Sequence, residues 1–256
     1  MQSTLTKVRQ AMGQSAAAPY LNLVWAWYSR GDTRNALYNL ETVATMKRIV
    51  GSGSVCVDVG SHRGELLRHM IRLAPRGQYF AFEPLPAYAD FLRARYPQAR
   101  VVQAAVGDYQ GQSSFIHVKN DPGYSGLRIR EYNLPDPDIE EIQVNVVRLD
   151  DVIPETTKVA FIKIDVEGGE YGVLNGALRT IERGKPTIVV EVTRRALAAY
   201  GVDARQFYAL LSEGCNYHLS TMRTWLDGKA PISEPEFCRH WDRRSEFYFI
   251  AYPKVS

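Results

Sequence analysis

The run VCVDVGSHRGE at 55–65 constrains this chain most. Small and β-branched residues at 55–59 predict a short buried strand. Asp58 ends the strand, Gly60 lets the chain turn, and Gly64 opens a helix through Leu66, Leu67, Met70 and Ile71. Strand, glycine turn and helix make the first unit of a nucleotide-binding α/β fold, where glycine admits a ligand close to the backbone. The turn reads Gly-x-x-x-Gly, one glycine short of the dinucleotide fingerprint, and lacks the Gly-Lys-Ser/Thr of a phosphate loop.

This spacing suits a ligand with a nucleoside but no pyrophosphate, and S-adenosylmethionine (SAM) is the candidate. Asp58, Gly60, Ser61, His62 and Gly64 are then its first contacts. The second strand, 78–83, finishes on Glu83 before Pro84. An acid there accepts hydrogen bonds from ribose hydroxyls, so Glu83 and Pro84 join the cofactor set. A helix over 87–96 presents Tyr88, Phe91, Leu92 and Tyr96. The third strand, 100–106, carries small residues at Ala104 and Ala105, which with Val106 leave room for adenine. Asp108 caps the next turn or reaches the adenine amino group, with capping the default.

Residues 111–148 depart from plain alternation. Two alternating stretches, 113–118 and 142–148, read as strands. The Gly- and Pro-bearing segment 119–141 between them reads as an insertion near the ligand, with Ser125 as its contact. His117 is structural. The fourth strand, 159–165, places Lys163 in an apolar run and delivers Asp165, Glu167 and Glu170 to its end. A buried lysine needs a carboxylate partner. One helix follows through Ile181. The fifth strand, 186–191, ends on Glu191, a helix spans 203–213, and 217–220 and 246–252 are the last strands. The pattern predicts a Rossmann-like α/β fold, a seven-stranded mostly parallel sheet with helices on both faces and an antiparallel seventh strand.

Residues 1–50 read as an N-terminal helical extension, and 51–256 as the SAM-binding domain. Helices are expected over 21–28 and 33–50. Trp25, Trp27 and Tyr28 are read as packing in preference to a lid or acceptor wall. A net charge of +3 without any basic run argues against nucleic acid. Cys56, Cys215 and Cys238 form no CxxC pair, which points to a reduced, cytoplasmic protein. The sequence has neither the apolar core of a signal peptide nor a stretch long enough to span a bilayer.

VDVGSHRG at 57–64, FEP at 82–84, LDD at 149–151 and above all FIKIDVEGGE at 161–170 resemble the FkbM-type SAM-dependent methyltransferases of class I. Gly176 and KPTIVVE at 185–191 fit the same pattern, and the likeness covers about 55–192. His62 and Arg63 depart from it, where the family more often has a small or amide residue and then an apolar one. The resemblance implies the class I fold, SAM, and O-methylation of hydroxyls on sugars, glycolipids or polyketide-type natural products. An alcohol acceptor needs a base. Asp165 is the first candidate, Glu191 the second and Glu167 the third, with Lys163 as the cationic neighbour. Asp165 and Glu191 also suit Mg²⁺, a reading ranked below the base. No His/Cys spacing suggests zinc. The expected partner is a small-molecule or glycan hydroxyl acceptor, with no nucleic acid and no membrane span, and a homo-oligomer is left open. An NAD(P)-dependent oxidoreductase is the alternative enzyme, and a non-catalytic SAM-binding module the alternative of another class.

Overall fold

The computed structural model describes residues 33–254 except Asn133. The helix expected at 21–28, with Trp25, Trp27 and Tyr28, lies outside them. The first described helix, α1 (Thr33–Ile49), precedes β1 (Val55–Val59), α2 (Leu67–Leu73), β2 (Gln78–Phe82), α3 (Pro86–Arg95) and β3 (Arg100–Val102). These are followed by β4 (Ala105–Val106), β5 (Gly111–Val118), β6 (Ile139–Val147), α4 (Leu149–Val152) and β7 (Val159–Ile164). Then come α5 (Glu170–Asn175), α6 (Leu178–Gly184), β8 (Thr187–Glu191), α7 (Arg194–Ala198) and α8 (Ala204–Ala209). The chain closes with β9 (Tyr217–Thr221), α9 (Met222–Leu226), α10 (Glu234–Arg243) and β10 (Tyr248–Pro253).

The main sheet has seven strands in the order β3-β2-β1-β7-β8-β10-β9. The ladders among the first five are parallel, and β10 runs antiparallel to both β8 and β9. Its central strands are mostly apolar because both faces are covered, with Asp58 of β1 and Lys163 of β7 as charged exceptions. Val57, Ile162 and Val190 enter the core on one face, while Cys56, Phe161 and Val189 enter the core on the other. Tyr38 and Met46 of α1 join the second core. The three cysteines are free thiols. No described helix is long and apolar enough to cross a membrane.

Four local expectations need correction. The strand expected over 100–106 divides. β3 stays in the main sheet, while Ala105 and Val106 pair with Val146 and Val147 in a separate three-stranded sheet, drawn there by the β5–β6 hairpin. The helix expected after Glu170 is two helices, because the Asp150 carboxylate accepts from the Arg179 and Thr180 amides and caps a fresh start. The helix over 203–213 starts on a capping box of Asp203 and Gln206 and widens into a π turn at Leu210–Gly214, closed by the Cys215 amide donating to the Leu210 carbonyl. Phe91 is exposed, while Leu92 and Tyr96 are buried as expected and Ala89 joins them.

Candidate active site

Strand order reverses at β1, whose neighbours are β2 on one side and β7 on the other. Open α/β sheets bind ligands at the carboxyl edge of such a switch point. A cavity of about 490 Å³ opens there. Asp58, Gly60, Ser61 and His62 of the first turn line it, together with Glu83, Pro84, Ala105, Val106 and Ser125. Lys163, Asp165, Glu167 and Glu191 line it as well. Gly64 is not among the residues that line the cavity. At φ +73°, its missing side chain leaves space that Tyr96 and Leu92 fill, at 2.6 and 2.8 Å from where a Cβ would stand. Asp108 lies outside this cavity, in an adjoining hollow beside Tyr109 and Arg128.

At the β1–β2 end, the turn is built on Glu83. Its carboxylate accepts from the His62 amide at 2.8 Å and the Leu85 amide at 3.0 Å. Burial pushes its pKa up to about 7 against those two donors. His62 takes φ +47° and packs its ring 4.4 Å from Tyr88. Gly60, at φ +76°, sits where a Cβ would overlap the Asp165 carbonyl oxygen, so a side chain is excluded. Ser125 spends its hydroxyl accepting from the Val118 amide at 3.0 Å, which ties the insertion to the cavity wall.

At the β7–β8 end, register sets the chemistry. Lys163 pairs with Asp58 across the β1–β7 ladder, and Tyr248 pairs with Glu191 across β8–β10. The Lys163 ammonium donates to the Gly60 carbonyl at 2.8 Å, with Asp165 at 3.3 Å and Asp58 at 3.8 Å. Burial works against its charge, but Asp165 and Asp58 outweigh burial and raise its pKa. Asp58 is pushed up to about 6 by burial, which Lys163 only partly offsets. Its Oδ1 is buried with no hydrogen-bond partner among the described residues.

Tyr248 donates to Asp165 Oδ2 at 2.7 Å. Burial raises the Asp165 pKa, but Lys163, Glu191 and Tyr248 prevail and hold the carboxyl below its usual range. Burial and the charge of Asp165 drive Glu191 well above the carboxylate range. The two carboxyls are thus pushed in opposite directions, Asp165 toward its charged form and Glu191 toward its protonated form. One oxygen from each of Asp165, Glu167 and Glu191 lies within 4.8 Å of the others. Glu167 is paired with Arg130, whose guanidinium stands over the Tyr124 and Tyr132 rings at 5.0 and 5.8 Å. Behind this turn, Glu170 accepts from the Val166 and Gly168 amides, and burial raises it to about 7.

Sequence reasoning missed Tyr248, Asn35 and Asn39, which line the cavity, and Arg130, which pairs with the lining Glu167. Nothing local marks Tyr248, whose neighbours read as an ordinary terminal strand. Arg130 was hidden in a stretch legible only as an insertion. α1 is fixed to the domain by Tyr38 donating to Glu246 at 2.6 Å and by Glu41 pairing with Arg223 at 3.0 Å.

The family description "Methyltransferase FkbM domain" matches residues 58–219. "Methyltransferase 1" of Beauveria bassiana is 28% identical over 144 residues, which are 48% of this chain and 58% of that protein. "2-O-methyltransferase NoeI" of Sinorhizobium fredii is 28% identical over 149 residues, 50% of this chain and 59% of that protein. The matched segments thus span less than two thirds of these curated relatives. Among solved structures, a methyltransferase FkbM from Methylobacillus flagellatus aligns with a TM-score of 0.47 at 20% identity, covering 79% of this chain and 44% of that one. The family match takes in the glycine turn, Glu83 and the three acids around Lys163, while Tyr248 and α1 stand outside it. The chain belongs to the FkbM methyltransferase family.

Proposed function

We propose that this chain transfers the methyl group of SAM to a hydroxyl oxygen of a sugar, a glycolipid or a polyketide-type natural product. One observation carries the reading. A single cavity holds a buried acid at the end of β2 and, at the other end, the Asp165 and Glu191 carboxyls beside Tyr248 and Lys163. Family membership supports methyl transfer, and a relative named as a 2-O-methyltransferase supports oxygen as the acceptor atom.

Bound SAM supplies a sulfonium-activated methyl group for in-line displacement. The cavity fits such a donor in size, since small-ligand sites run from roughly 300 to 1,000 Å³. It also fits in charge, because the acids outnumber the cations along it and the sulfonium is cationic. Glu83 holds the ribose, and Asp58 Oδ1, which accepts no hydrogen bond from a described residue, is a second acceptor for the donor. Ala105 and Val106 border the adenine. Asp165 takes the proton of the acceptor hydroxyl as the new C–O bond forms. Glu191, pushed toward its protonated form, favours the charge on Asp165. Glu167 serves Arg130 and the insertion, which removes it from the base candidates. In this reading α1 is a fixed wall for the acceptor, with Asn35 and Asn39 toward it.

No Mg²⁺ enters the reading. Lys163 and Tyr248 already hold Asp165, and Arg130 holds Glu167, so a cation would have to displace built contacts. Mass spectrometry of the ligand that copurifies with the chain tests the proposal. SAM or S-adenosylhomocysteine is the expected result. A nicotinamide nucleotide would move the reading to an oxidoreductase.

A further inference from the structure

The sequence contains no basic run, yet the fold assembles one. α1 packs beside α2 on the same sheet face. Together they expose Lys47 and Arg48 from the end of α1, Arg63 from the glycine turn, Arg68 and Arg72 from α2, and Arg76 just beyond it. Arg68 and Arg72 are one helical turn apart and share a face.

None of the six makes an ion pair with a described residue. Arg48 lies over the Trp225 ring at 5.6 Å and Arg63 over Tyr88 at 5.8 Å, contacts that orient the guanidinium groups without neutralising them. Arg76 donates to the Ser52 hydroxyl at 3.0 Å. Elsewhere exposed cations are commonly matched, as in Arg93 with Asp90, Lys119 with Asp138 and Arg179 with Asp151. The whole chain is only +3, so without this stripe the remainder is net negative. His69, set among Arg68, Arg72 and Lys47, has its pKa lowered by burial and then by all three cations. The like charges are close enough to act on one group.

We propose that this stripe is a docking surface for an anionic lipid bilayer. The partner follows from what accompanies the charge. A specific protein interface is anchored by buried aromatic or aliphatic side chains, and no large apolar side chain is exposed on α2 or on the C-terminal half of α1. Single-stranded nucleic acid is gripped by aromatic platforms, and none is exposed there. Cations on a helical face with no apolar anchor match the long-range attraction of an anionic leaflet, worth a roughly constant increment per Lys or Arg. The stripe begins at Arg63, next to the cavity-lining His62, so a docked chain holds its cavity beside the bilayer surface. The inference goes beyond the methyl-transfer reading and does not rest on it.

Sedimentation of the full chain with vesicles tests it. Binding is expected to mixed phosphatidylglycerol–phosphatidylcholine vesicles, to fall steeply with salt, and to be absent with phosphatidylcholine alone. R68Q/R72Q/R76Q is expected to weaken partitioning by about a hundredfold. R205Q/K229Q/R239Q makes the same change in net charge away from the stripe and is expected to leave partitioning unchanged. Thermal melts check that both variants fold. Equal binding to neutral vesicles, no vesicle binding, or full binding by the stripe variant would overturn the proposal. A DNA duplex bound as tightly as the anionic vesicles at the same salt would overturn it in favour of nucleic acid.

Discussion

The Tyr248 hydroxyl donates to the Asp165 carboxylate at 2.7 Å across 83 positions of sequence. Asp165 Oδ2 therefore meets two donors, Tyr248 and Lys163. Tyr248→Phe removes one of them and keeps the ring. Turnover is expected to fall about tenfold, the rate equivalent of roughly 1.4 kcal/mol, with S-adenosylhomocysteine affinity unchanged. Equal loss of affinity would place Tyr248 in donor binding instead.

Glu83→Ala removes the acid proposed to hold the ribose and frees the His62 and Leu85 amides. Calorimetry is expected to show S-adenosylhomocysteine binding weaker by about 1.5–3 kcal/mol, the range for hydrogen bonds to a charged group. Undiminished affinity in a folded variant would withdraw the ribose assignment.

Gly64→Ala tests the packing role of the second glycine. A methyl group there meets Tyr96 and Leu92. A loss of roughly 2–3 kcal/mol in stability is expected from overpacking, with cofactor affinity intact in the folded fraction. Weakened affinity without loss of stability would return Gly64 to the ligand site.

Glu170 gives a pH signature. Its pKa rises from 4.5 to about 7 on folding. Stability tied to its proton is therefore complete below the unfolded pKa and lost as pH climbs through the folded one. Glu170→Gln retains an acceptor for the two amides and never ionises. The wild type is expected to lose up to roughly 3 kcal/mol relative to this variant between pH 4.5 and 7, an upper bound from the shift. Denaturant melts across that range measure it, and parallel curves would refute it.

The legible parts of this molecule were those fixed by local pattern. β1, β2, β7 and β8 are mostly apolar on both faces and each is followed by an acid or a glycine turn, so strand, edge and acid could be read together. β3 and β4 were fused because the split depends on a pairing with β6 some forty residues on, which no local period records. Spacing does not distinguish a glycine that faces a ligand from one that packs against Tyr96, as Gly64 does. Arg130 and Tyr248 reach the acids through tertiary contacts alone, and the basic stripe exists only once α1 lies against α2.

The account turns on Asp165. Asp165→Asn retains the shape and removes the charge. The direct measurement is methyl transfer from labelled SAM to a panel of sugar and glycolipid acceptors, by wild type and variant side by side, with S-adenosylhomocysteine affinity measured on both. The account predicts turnover lower by roughly 10²–10⁴-fold, the usual worth of a general base, with affinity within a few-fold. A variant that binds the cofactor product and turns over within a few-fold of wild type would contradict it.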